Sequence, residues 1–143
     1  VLHDNQGESR GETLPEAFWT VARHLRELSR QTLAPWDITP SQSRAIRVLM
    51  HHDVLRLREL AEHLHIVARS TTEVVDDLEA RGLAERLPDP HDRRATLVRL
   101  TPRGTEVGNA IRDARDAETE QFFSRISEAD RAELTRILRQ LRD

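Results

Sequence analysis

Asp92-Arg93-Arg94 lies inside PDPHDRRATLVRL, positions 88–100, the stretch of the chain best suited to meeting an anion. Adjacent guanidinium groups offer planar, permanently charged donor forks that match phosphate oxygens and base edges. Pro88, Asp89 and Pro90 stiffen the approach, and the alternation after Arg94 has one strand's length. A second set opens the segment Arg69-Ser70-Thr71-Thr72-Glu73, where a guanidinium and hydroxyls can meet phosphate or base edges. Ser41 and Arg44 form a third, smaller candidate phosphate clamp. Histidines gather at His51-His52 and His63-x-His65, but zinc needs three or four converging ligands and this spacing spreads them around a helix end. No metal is expected. Ser, His and Asp all occur, yet without a Gly-x-Ser-x-Gly elbow or a phosphate-cradling glycine loop, so neither catalysis nor a cofactor is expected.

The elements that must carry these groups come from a chain of 143 residues, 37% hydrophobic and 33% charged. That is one domain with helical extensions, rich enough in surface that some apolar area belongs between chains. There is no cysteine, which excludes disulfides, thiolate metal sites and thiol redox sensing. No apolar run reaches membrane-spanning length, and the N-terminal stretch is polar, so a cytoplasmic protein without a membrane partner is expected. The net charge of −3 gives no hint of nucleic acid. All 22 basic residues are arginine, which composition alone attributes to codon usage.

Residues 1–12 read as a loose polar arm. Thr13-Leu-Pro-Glu16 is a capping box opening a first helix, whose Leu14, Phe18, Val21, Leu25, Leu28 and Thr32 repeat in steps of four and three, as in a seam against another chain. The helix fades before Pro35. Thr39-Pro40-Ser41-Gln42 opens a second helix with Ala45, Ile46 and Leu49 inward. After Asp53 a third carries Leu57, Leu60, Ala61 and Leu64. A break at His65 to Ala68 precedes a fourth, closed by Gly82. Its buried stripe is Thr71, Val74, Val75 and Leu78, although Thr71 also belongs to the Arg69–Glu73 set that can meet phosphate or base edges. Two strands follow, Ala84 to Leu87 and Thr96 to Leu100. Thr101-Pro102 begins a fifth helix, and Ser127 a sixth with Leu134, Ile137, Leu138 and Leu141 on its apolar side.

Two helices with a tight break, then a two-stranded ribbon, describe a winged helix-turn-helix. The fold class expected is mainly α with a small two- to three-stranded β wing and helical dimerisation extensions. Leu60-Ala61-Glu62, Val75-Asp76-Asp77-Leu78-Glu79-x-x-Gly82-Leu83, Glu85-Arg86, Asp92-Arg93-Arg94 and Leu100-Thr101-x-x-Gly104 occur in one order. This set resembles the core of the MarR family of bacterial transcriptional regulators. The resemblance implies a homodimer, built by the first, fifth and sixth helices, on a palindromic double-stranded operator. It implies that the fourth helix reads the major groove, that Asp92 braces the wing, that Arg94 enters the minor groove and that Arg93 approaches phosphate. Residues 13–36 and 105–143 would then serve dimerisation, and 37–104 DNA binding.

The chain departs from the family in its acidic fourth helix. Glu73 stands where many members are basic, and Asp76, Asp77 and Glu79 follow. Glu73 can accept from a cytosine amino group or pair with Arg69 at i,i+4, and the pairing is preferred. Family resemblance further implies a small amphipathic effector between the dimer helices and the DNA-reading lobe, for which Trp19, His24 and Trp36 are candidates, although core or dimer packing suits the tryptophans better. The function expected is a DNA-binding regulator, a repressor in particular. A protein-docking adaptor using the acidic helix and a metal-responsive regulator are the alternatives.

Overall fold

The computed structural model describes residues 11–142, so most of the polar arm expected over 1–12 lies outside them. The elements run α1 (Leu14–Leu33), a 3₁₀ turn (Ala34–Trp36), α2 (Pro40–His52), β1 (Val54–Arg56), α3 (Leu57–Leu64), α4 (Ala68–Ala80), β2 (Ala84–Pro88), β3 (Thr96–Leu100), α5 (Pro102–Phe123) and α6 (Glu128–Arg142). Their starts follow local chemistry. Thr13 and Thr39 close reciprocal capping boxes with Glu16 and Gln42, and the Thr101 and Ser127 hydroxyls accept from Gly104 N and Asp130 N. His65, at φ 53°, ends α3 and makes the tight break before α4, while Gly82, at φ 70°, turns the chain from α4 into β2.

The sheet is antiparallel in the order β1-β3-β2. β1 is a strand at a place where the sequence suggests only the approach to a helix. Three residues are too few to display alternation, and Val54–Arg56 becomes a strand only by pairing with β3, Leu55 opposite Val98. The core joins Leu49, Leu60, Val75, Leu78 and Val98, so α2, α3 and α4 pack on one another and on the sheet. Two glycines set how closely α5 docks. A Cβ on Gly104 would fall 1.9 Å from the Leu83 carbonyl oxygen, and one on Gly108 would fall 2.3 Å from Met50 Sδ. α5 therefore lies against both the start of β2 and α2. The terminal helices differ: α1 buries only Leu33, at its last turn, and α6 buries nothing.

Candidate nucleic-acid interface

The loop between β2 and β3 is built from its carboxylates. Asp89, buried at the end of β2, accepts from His91 N at 2.8 Å through one oxygen and from Arg56 Nε at 3.0 Å through the other. The His91 amide first, and then the Arg56 charge, hold the Asp89 carboxyl below the usual range. Asp92 Oδ1 accepts from Arg94 N at 2.9 Å and its carbonyl accepts from Ala95 N at 3.1 Å, which closes the apex. Asp92 thus braces the turn through the backbone. Arg56, whose guanidinium reaches from β1 to Asp89, was not singled out in the sequence; its role exists only because β1 pairs beside the ribbon.

The arginines fall into two groups. Arg56 is bound to Asp89, Arg99 to Glu85 at 2.6 Å, and Arg81 to the carbonyls of Trp36 and Asp37. Arg86 reaches from β2 to two carboxylates of α4, Asp76 at 2.6 Å and Glu79 at 3.3 Å. By contrast, the guanidinium groups of Arg93 and Arg94 at the loop apex and of Arg44 on α2 are exposed and make no ion pair among the described residues. Arg69 lies 4.0 Å from Glu73 with its side chain 91% exposed, so the expected i,i+4 pair is present but loose.

α4 shows the same division along its length. Its first turn holds no acidic residue, and its N-cap is Val67, which supplies no side-chain hydrogen bond. The amides that open α4 are therefore uncapped, whereas Ser or Thr caps α1, α2, α5 and α6. An uncapped helix start presents N–H donors and the positive end of the helix dipole to an anion. The acidic residues sit further along, with Asp76 and Glu79 on Arg86 and Asp77 accepting from Gln42 Nε2 at 3.4 Å.

Several candidate residues move. Thr71 is fully buried and its hydroxyl donates to the Val67 carbonyl, so it belongs to the core stripe and cannot touch DNA. Thr72 is half-buried and donates to the Ala68 carbonyl at 3.0 Å, which commits its proton inside the helix and leaves it an acceptor. Ser70 and Ser41 are half-buried. Of the effector candidates, Trp19 and His24 lie on α1 and Trp36 on the 3₁₀ turn that follows it. Trp36 lies beyond the end of α1, 17 positions after Trp19. Trp36 lines clefts with Arg103 and Val107, and neither Trp19 nor His24 lines them. Among the described residues no three metal-ligating side chains come together, although the His52 and His63 rings lie 4.4 Å apart. No described helix is long and apolar enough to cross a membrane.

A family model described as MarR family matches residues 36–95, the segment from the end of the 3₁₀ turn to the wing apex. The multiple antibiotic resistance protein MarR of Salmonella typhimurium is 31% identical over 94 residues, 66% of this chain and 65% of that protein. The crystal structure of RV1404 from Mycobacterium tuberculosis is 31% identical, with a TM-score of 0.77 over 89% of this chain and 88% of that one. A mutant MarR of E. coli complexed with operator DNA has the same fold, at 24% identity and a TM-score of 0.77 over 90% of this chain and 92% of that one. With its winged-helix order, its Asp92-Arg93-Arg94 apex and these likenesses together, the chain belongs to the MarR family of transcriptional regulators.

Proposed function

We propose that the protein is a repressor that binds a palindromic DNA operator as a homodimer and is released by a small-molecule effector. The observation that carries the DNA part is the division of the arginines. Those at the base of the wing are paired with carboxylates, while Arg93 and Arg94 sit exposed on an apex whose backbone Asp92 holds, without an ion pair among the described residues. An unpaired guanidinium breaks no ion pair on meeting phosphate or the negative potential of a minor groove. The uncapped start of α4, with Arg69 and Ser70, suits the neighbouring major groove and its phosphates. That a MarR structure of the same fold is complexed with operator DNA supports DNA as the partner.

The acidic surface on which a protein-docking reading rests is reduced, because Arg86 holds Asp76 and Glu79. The dimer is supported by Leu134, Ile137, Leu138 and Leu141, an i, i+3, i+4, i+7 stripe on α6 that remains exposed in the single chain. Two-fold pairing would set the α4 helices about 34 Å apart, one DNA turn. The test is a titration of the full chain against DNA upstream of its own coding region at several salt concentrations. The expected result is a shift whose affinity falls linearly in log–log form as salt rises, because phosphate contacts release counterions. A dimeric protein that shifts nothing at low salt would exclude the DNA reading and leave the docking adaptor. A shift abolished by a chelator would instead favour metal response through the His52–His63 region.

A further inference from the structure

The exposed large apolar side chains of the described residues lie on α1 and α6, with two exceptions in the central lobe, Val54 at 40% and Val67 at 69% exposure. Val54 is held at the sheet edge by the pairing of β1 with β3, opposite Arg99. Val67 belongs to no strand. It stands at the N-cap of α4, the helix that the DNA reading places in a major groove.

Packing does not explain that exposure. Ile66, the preceding residue, packs against the core, and Thr71 at i+4 is fully buried, so this end of α4 is anchored without Val67. Ala68 and Arg69, which follow, are exposed as well. The opening of α4 therefore offers apolar groups to solvent beside a guanidinium whose side chain is 91% exposed. Val67 does not serve the helix either. Thr13, Thr39, Thr101 and Ser127 accept from first-turn amides of their helices, and valine has no atom that can. The position gives up a cap and leaves apolar area in water, both unfavourable in the free protein. The second of these is reversed by a partner that covers the side chain.

The N-terminal residues of a helix in the major groove are the ones that meet base edges. Among the groups displayed there, only the C5 methyl of thymine is apolar; the rest are hydrogen-bond donors and acceptors. Arg69 and Glu73, exposed on the same helix, act through hydrogen bonds and charge. We propose that Val67 reads a thymine C5 methyl in each half-site and so makes that thymine a specificity determinant of the operator. The assignment rests on the DNA-binding reading given above.

The probe is uracil, which keeps every hydrogen-bonding edge of thymine and lacks only the methyl. Thymines across the footprint on the upstream DNA are replaced by uracil, one symmetry-related pair at a time, and titrated with the full chain. One pair is expected to lose affinity by about fourfold per half-site, the worth of one buried methyl. Val67→Ser is expected to bind the thymine and uracil forms of that site equally while its Tm stays at or above the wild-type value, because serine caps α4. Val67→Ala, which adds no cap, is the second variant and is expected to lose most of the uracil penalty. A merely structural residue would not couple to one methyl of the DNA in this way. A uracil penalty that both variants retain would give the methyl to another side chain and overturn the proposal. A fall in the Tm of Val67→Ser would overturn it too, by placing Val67 in the packing of α4. Failure of the two readings is distinguishable. A chain that shifts no DNA at low salt overturns both, and one that binds DNA yet ignores uracil at every position overturns the assignment to Val67 alone.

Discussion

The stretch from Leu33 to Ile111 and the two helical ends are built on opposite terms. Every buried apolar side chain among the described residues lies within that stretch. At the ends, Leu14, Phe18 and Val21 on α1 and Leu134, Ile137, Leu138 and Leu141 on α6 are as regularly spaced as any core stripe, yet all are exposed, as is Trp19 beside Phe18. The central lobe closes its own core because α2, α3, α4 and the sheet surround one another. The ends carry the periodicity of packed helices, but the first turns of α1 and the stripe of α6 are left uncovered in the single chain. Apolar area of that kind is stabilising only when something covers it, and a second copy brings the same stripes with the same spacing.

The comparison can be broken most directly at α6. Ile137→Asp is expected to abolish dimerisation at micromolar concentration, measured by sedimentation, while the isolated lobe keeps its secondary structure. An unchanged dimer would mean that the ends are covered in some other way. Leu78→Ala tests the opposite region. It removes a fully buried side chain and is expected to cost about 2–5 kcal/mol, read as a loss of Tm that is the same at every protein concentration. A concentration-dependent loss would place Leu78 in the wrong region.

Arg94→Ala sharpens the contrast between paired and unpaired arginines. It is expected to weaken operator binding by about 1–3 kcal/mol and to leave Tm unchanged, because the Asp92 turn is held by the Arg94 backbone and not by its side chain. Wild-type affinity across several salt concentrations would remove Arg94 from the interface.

The smallest effect is one of pH. Asp89 is lowered in the folded state, so its contribution is fully present above the unfolded value of about 3.9 and is lost as pH falls through the lowered folded value. The amide of His91 should report that titration by NMR at a midpoint below the unfolded value, and Asp89→Asn should abolish it. A midpoint above about 4 would contradict the clamp, given the unfolded value near 3.9.

Much of the scaffold was legible because it is written locally. Capping boxes at Thr13 and Thr39, the glycine at Gly82 and the stripe Thr71, Val75, Leu78 need only neighbours within a turn or two. The ordered motifs from Leu60 to Gly104 likewise placed the wing and its Asp92-Arg93-Arg94 apex. What escaped was whatever depends on a distant partner. β1 exists through β3, the Arg56–Asp89 clamp spans 33 positions, and the acidic character of α4 is altered by Arg86 on the next strand. Thr71 and Thr72 show the same limit within one helix, since their types suit DNA and their environment withdraws one side chain and one proton.

By itself, then, the sequence determined where helices start and stop, which faces are apolar and which segment carries an arginine-tipped hairpin, because capping, periodicity and turn chemistry are short-range effects. Only the tertiary structure decided which charges are already paired and which are left unpaired for a partner. Pairing depends on where a long, flexible guanidinium can reach once helices and strands from separate parts of the chain have been brought together.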